Sequence, residues 1–175
     1  MDPVTCFAPI ADINAVILIL GSMPSTQSLE AHQYYAHPRN SFWFIMSALF
    51  ADKGPLNYEQ MDYKQKQQLL KRHRVALWDV VNTCQRKGSL DSSIRNDTIV
   101  VNNFNHFFAE HPLINAVYFN GSRAQQEFNK HVLPTLDERY SLIQYQRLPS
   151  TSPAMASLSR EQKLQQWKRV LEYLN

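Results

Sequence analysis

Two short segments of this 175-residue chain carry the side chains with the most chemistry to offer. The first, Gly21-Ser22-Met23-Pro24-Ser25, follows the apolar run Ala15-Val16-Ile17-Leu18-Ile19-Leu20. The second is Tyr35-Ala36-His37-Pro38-Arg39-Asn40-Ser41-Phe42-Trp43. A continuous apolar run is the pattern of a strand buried on both faces of a parallel sheet. A Gly-Ser-x-Pro turn at its carboxyl end puts backbone N–H groups at the sheet edge, where open α/β folds bind ligands. The second segment sets a short amide, Asn40, directly ahead of the apolar stretch Phe42-Trp43-Phe44-Ile45-Met46. A short polar group and an aromatic plate beside a backbone turn suit a flat heterocycle and a water molecule.

This pair of segments resembles the uracil-DNA glycosylase superfamily. The run from Tyr35 to Trp43 is similar to the Phe-Ala-His-Pro-x-Asn-x-Phe-Trp run of the mismatch-specific uracil-DNA glycosylases. The hypoxanthine-DNA (deoxyinosine) glycosylase branch matches further. It shares the Gly-Ser-Met-Pro-Ser turn, the stretch Ala76-Leu77-Trp78-Asp79-Val80 leading into Gly88-Ser89-Leu90-Asp91-Ser92-Ser93-Ile94, and the late loop Leu148-Pro149-Ser150-Thr151-Ser152-Pro153-Ala154. Four segments in the same order make the resemblance specific.

The resemblance implies hydrolysis of the N-glycosidic bond of a deaminated base in DNA. The base must leave the stack first, because its bond to the sugar is not reachable inside a duplex. Asn40 matches the family position that orients the attacking water. An amide does not titrate near neutral pH, so its role there is geometric and electrostatic; Asn40 alone reads equally as the cap of the following helix. Tyr35 sits where relatives stack an aromatic on the flipped base, although a tyrosine beside Phe42 and Trp43 also suits a core. Gly21 and Ser22 are the expected backbone partners of base or sugar. Met23 departs from the Asn of the mismatch-specific enzymes and the Asp of other branches, and agrees with the hypoxanthine branch. Leu148 to Ser157 matches the loop that pinches the DNA backbone, with Ser150, Thr151 and Ser152 as phosphate donors. Met155 is the candidate wedge, where the family more often carries Asn. Asp79 and Asn82 reach the edge of the second strand as base readers, and Asp79 serves equally as a structural acceptor. Arg86-Lys87 reads as a phosphate-contacting loop or a solvated one.

Composition agrees with this and excludes other classes. The length suits one domain, here residues 1–175, and 44% apolar residues supply one core. A net charge of +3 favours a polyanionic partner such as DNA. The apolar runs are too short for a membrane span, and the Met-Asp-Pro start lacks a secretory pattern, which points to the cytoplasm. Cys6 and Cys84 are too few for a zinc or iron–sulfur site. The histidine pairs His32/His37 and His106/His111 lack an acid in a metal-helix pattern. Neither a Gly-x-Ser-x-Gly elbow nor a phosphate-cradling Gly-rich loop occurs, and no lysine stands in the motifs as a Schiff-base nucleophile. The expectation is a monomer without cofactor or metal that releases hypoxanthine and leaves the abasic site intact. The rivals are a uracil enzyme of the same fold and a DNA-binding module that kept the fold without catalysis.

The elements that must position these residues follow from periodicity. Strands are predicted at 15–20, 75–81, 114–119 and 140–148. A loop joins the first strand to Asn40. Helices are predicted at 41–51, 58–74, 103–108 and 122–132, with a last helix opened by the capping box Ser159-x-x-Gln162. Asp52 to Pro55 stops the 41–51 helix, Ser122 caps the 122–132 helix, and Gly88 to Asp97 is turn-rich. The alternation implies βαβ units and one three-layer α/β/α sandwich around a mainly parallel four-stranded sheet.

Overall fold

The computed structural model describes residues 3–51, 57–88 and 91–174. The strands are β1 (Val4–Thr5), β2 (Ile17–Gly21), β3 (Val75–Asp79), β4 (Val81–Cys84), β5 (Val100–Val101), β6 (Ala116–Asn120) and β7 (Gln144–Leu148). The α-helices are α1 (Thr26–Ala31), α2 (Phe42–Leu49), α3 (Tyr63–Arg72), α4 (Phe104–Glu110), α5 (Ser122–Glu127) and α6 (Arg160–Trp167). The main sheet has the order β3-β2-β6-β7, and every neighbouring pair in it is parallel. This is the α/β sandwich the sequence implies.

β2 shows why the sandwich has two cores. Ile17, Leu18, Ile19 and Leu20 are all 0% exposed. Side chains alternate across a strand, so Ile17 and Ile19 join Phe42, Ile45, Met46, Leu70 and Trp167 under α2, α3 and α6. Leu18 and Leu20 join Phe104, Phe107, Phe108, Ala124 and Phe128 on the opposite face, under α4 and α5. Each fully buried side chain of this size contributes about 1.5–3 kcal/mol. β6 divides the same way, with Tyr118 on the first face and Val117 and Phe119 on the second.

Several local expectations are corrected. The segment expected to run as a loop to Asn40 contains α1, capped by Ser25 and closed by His32 in the left-handed region at φ 51°. The second strand ends at Asp79, and Val81 begins β4 of a separate antiparallel sheet ordered β1-β4-β5. Strands this short carry too little pattern to read from sequence. α3 starts at Tyr63 because Asp62 and Gln65 form a capping box there, and Tyr58 lies in the preceding turn. Ser122 is the first residue of α5 rather than its cap. Gly121 at φ 94° occupies the cap position, and Phe128–Val132 continue as a π-helix. The capping box at Ser159 and Gln162 forms as expected. The stop at Asp52 to Pro55, like Ser89 and Leu90 of the turn-rich stretch, lies outside the described residues.

α6 does more than cover the sheet. Trp167 is 0% exposed, packs edge-on against Phe42 at 6.1 Å, and donates its indole N–H to the Pro149 carbonyl at 2.9 Å. Trp167→Ala is expected to cost about 3–5 kcal/mol of stability in urea unfolding. Trp167→Phe, which loses mainly the hydrogen bond, should cost nearer 1 kcal/mol.

Candidate active site

The four strands of the main sheet deliver Gly21, Asp79, Asn120 and Leu148 to one edge, their carboxyl ends. Chain connections leave β2 toward β3 and β6 toward β7, in opposite directions across the sheet. A reversal of this kind opens a crevice at the carboxyl edge.

The turn after β2 is held from behind. The Val80 and Val81 N–H groups donate to the carbonyls of Gly21 and Ser22 at 2.9 and 3.0 Å. The Arg86 guanidinium donates to the Pro24 carbonyl. Met23 is 7% exposed and packs with Val81, Cys84 and Ile94. Met23, which the resemblance places in the substrate site, is therefore corrected as a side-chain contact: packing against Val81, Cys84 and Ile94 consumes the side chain, and the turn offers its backbone. Arg86 is 5% exposed, which corrects both of its readings, as a phosphate contact and as a solvated cation, because the fold closes over its head group and turns one nitrogen to the Pro24 carbonyl. Lys87 is exposed.

Tyr35 holds a backbone conformation rare for a side chain of its size, φ 55°. Its ring stacks on Phe42 with centroids 4.2 Å apart and planes 29° from parallel. Phe42 is fully buried, so one face of Tyr35 rests on the core. The Tyr35 hydroxyl and the buried Asp79 carboxylate both crowd the Gly21 Cα, leaving no room for a Cβ there. Asp79 in turn has its backbone carbonyl held by the Asn102 amide at 2.8 Å, and Asn102 also donates to the Cys6 sulfur at 3.3 Å. Burial pushes the Cys6 thiol up to about 11, with the Asp79 charge adding to the shift and a hydrogen bond from Asn102 opposing it. Asn82 is half-buried on β4, where its carbonyl accepts from the Cys6 N–H at 2.8 Å.

Asn40 is half-buried at the start of α2. Its Oδ1 accepts from the Phe42 N–H at 2.9 Å, satisfying one of the helix's free donors, while Ser41 at the formal cap makes no such bond. That bond fixes which way the amide faces and leaves Oδ1 a second lone pair. The next residue, Ser41, donates its N–H to the Thr151 carbonyl at 3.0 Å, tying the Asn40 turn to the late loop.

The late loop is clamped along its length. Thr151 is 0% exposed and pairs reciprocally with Asn120: the Thr151 N–H donates to Asn120 Oδ1 at 2.8 Å and Asn120 Nδ2 to the hydroxyl at 2.9 Å. Thr151 is therefore a buried brace and not a phosphate donor. Its hydroxyl has no path to solvent. Lys163 is buried, donates to the Ser152 carbonyl at 3.1 Å, and has its ammonium pKa lowered by that burial. Ser150, Ser152 and Met155 are half-buried on this framework.

Asn120, Asn102 and Lys163 are site-building residues that the sequence motifs did not single out. Asn120 had a usable signal, since it ends its strand as Asp79 does. Among the described residues, no three His, Cys, Asp or Glu side chains group to hold a metal ion.

Comparison with known proteins gives the chain its class. The family model for the uracil DNA glycosylase superfamily matches residues 8–175. A Methanosarcina acetivorans protein named hypoxanthine DNA glycosylase is 33% identical over 167 residues, covering 95% of this chain and 97% of that one. Its counterpart of the same name from Methanosarcina barkeri is 35% identical over 118 residues, 67% of this chain and 71% of that one. The fold also matches the solution NMR structure of a Methanosarcina acetivorans protein proposed to be a uracil DNA glycosylase. The TM-score is 0.79, the identity 31%, and the match covers 99% of each chain. The chain belongs to the uracil-DNA glycosylase superfamily, and it is a DNA glycosylase.

Gly21→Ala should lower the rate of base release by about 10²-fold, because the added methyl displaces Asp79 and Tyr35 on the order of an ångström. Single-turnover assays on the folded variant check this. Cys6 should alkylate roughly 10²-fold more slowly in the native than in the unfolded chain at pH 8, since the thiolate is the reactive form; peptide mass analysis reads the difference. Because the folded pKa is the higher one, the associated stability is present below about pH 9 and is lost as the pH rises toward 11.

Proposed function

We propose that this DNA glycosylase hydrolyses the N-glycosidic bond of deoxyinosine in DNA, releasing hypoxanthine and leaving an intact abasic site, with no cofactor. One observation carries the reading: an amide oxygen at Asn40, oriented by the Phe42 N–H, lies in a turn joined to both the Tyr35 plate and the late loop. The names of the two Methanosarcina relatives support the choice of hypoxanthine.

In this mechanism the flipped base stacks on the Tyr35 ring, an interaction commonly worth about 1–3 kcal/mol. The absence of a Cβ at Gly21 lets the Asp79 carboxylate and the Tyr35 hydroxyl close on the strand end, and the base meets them beside the Ser22 and Met23 backbone. The bond between sugar and base breaks with its electron pair going to the base, and the sugar becomes cationic. The Asn40 oxygen holds the water that attacks C1′. That water releases its proton to solvent, since an amide cannot take it.

Hypoxanthine presents a carbonyl beside an N–H. The buried Asp79 carboxylate suits that N–H as acceptor, with the Asn82 edge alongside. Adenine turns a lone pair to the same acceptor and is rejected, the strong form of discrimination in which buried polar groups would be left unpaired. Uracil presents the same carbonyl and N–H pair, so the uracil reading shares this logic. Ser150, Ser152 and Lys87 contact phosphates, and Met155 fills the gap left by the base. All of these groups lie in one chain, which acts as a monomeric single domain.

Asn40→Ala should slow single-turnover base release by roughly 10²–10³-fold while DNA affinity survives, since phosphate contacts dominate it. An unchanged rate removes Asn40 from the mechanism. In competition between equal amounts of hypoxanthine-, uracil- and adenine-containing DNA, hypoxanthine should lead and adenine should stay intact. A uracil rate more than tenfold ahead selects the uracil reading. Borohydride should trap no protein–DNA adduct.

A further inference from the structure

Arg86 presents a buried charge with no carboxylate partner among the described residues. The residue lies just past β4, at an isolated bridge to Ile94, and is 5% exposed. One nitrogen, Nη2, donates to the Pro24 carbonyl. Nε and Nη1 are buried and make no hydrogen bond, and among the described residues no carboxylate pairs with the head group. A guanidinium stays protonated at any pH the fold survives. Burying it without a partner is costly. A residue with only a packing task would shed that cost by being apolar.

The position of the charge gives it a use. The carbonyls of Gly21, Ser22 and Pro24 are all engaged from the side of β4 and Arg86. The Met23 N–H donates to nothing among the described residues. The turn is thus a short set of peptide dipoles pinned at their oxygen ends, with a cation behind them. In a poorly screened interior such a charge acts over several ångströms. Negative charge develops at the opposite end of the turn, on the base, as the glycosidic bond breaks.

We propose that Arg86 is a positioning residue for the departing base, holding the Gly21–Ser25 turn by hydrogen bond and lowering the energy of the base anion by its charge. This rests on the glycosylase reading above. The two effects separate experimentally. Arg86→Lys keeps the charge, Arg86→Gln keeps a donor for Pro24 without charge, and Arg86→Met keeps neither.

The test is single-turnover release of hypoxanthine and of xanthine, the more acidic and better leaving base, from DNA by the full-length chain and the three variants. Arg86→Met and Arg86→Gln should lose about 10–10²-fold on hypoxanthine and at least threefold less on xanthine, because a better leaving group needs less help. Arg86→Lys should regain most of the rate, and DNA affinity should stay within about twofold throughout. Should the methionine variant fail to fold, the glutamine and lysine pair carries the comparison. Equal losses on both bases, full activity in the glutamine variant, or a lysine variant as slow as glutamine each overturn the inference while the glycosylase reading stands. A wild-type chain that releases neither base overturns the reading and the inference together.

Discussion

The structure is organised around a steric constraint at Gly21. β2 is buried on both faces and paired on both edges, so its position is fixed by two cores and two ladders at once. Its last residue then meets the Asp79 carboxylate from β3 and the Tyr35 hydroxyl from the segment before α2. A hydrogen in place of a Cβ is what lets the three meet. The register of β2 with β3, Gly21 opposite Asp79, sets that meeting point. Slipping it by one residue would turn Asp79 into the opposite face. The geometry of the proposed site is thereby inherited from strand pairing.

Around that point, buried polar groups take over the ordering that apolar packing cannot supply. The Asn120–Thr151 pair, the Ser41–Thr151 bond, the Lys163–Ser152 bond and the Trp167–Pro149 bond tie three connections and α6 into one frame. A partly satisfied network of this kind costs more than an apolar core, whereas a satisfied one rigidifies. Its rigidity matters because the Asn40 turn and the loop proposed to grip DNA share the Thr151 backbone. In the proposed mechanism, engagement of the loop and placement of the water are thereby mechanically one event.

Asn40 illustrates how a structural role and the chemical one proposed for it are compatible in a single side chain. Its oxygen caps α2 through the Phe42 N–H, and the same contact orients the amide. Preorganisation of this sort is what a non-titrating group must rely on, since it stabilises a transition state only by already pointing the right way. Tyr35, fixed on Phe42 in a left-handed backbone conformation, is preorganised in the same sense. Such strain persists where surrounding packing over-determines it, here through Tyr34, whose ring is buried and whose carbonyl accepts from the Trp43 indole at 2.9 Å.

Much of this was legible in the residues themselves wherever the cause is local. The run Ala15 to Leu20 announces a doubly buried strand because every side chain in it is apolar. Asn40 announces a helix start because its partner is two residues away, and Ser159 with Gln162 does so because theirs is three away. The motif order announces the family. Other features depended on contacts that cross the chain and leave no local trace. Met23 was consumed by Val81 and Cys84 of a small sheet whose strands are too short to show a period, and by Ile94 beside it. Thr151 reads as one more hydroxyl of a Ser/Pro-rich loop until Asn120, 31 residues earlier, claims its N–H and its hydroxyl. Arg86 reads as a surface cation until the fold closes over it and delivers it to Pro24, 62 residues upstream. Periodicity and capping report on neighbours within a turn or two of chain, whereas burial of a polar side chain is decided by whichever distant segment folds against it, and only the tertiary structure contains that segment's position.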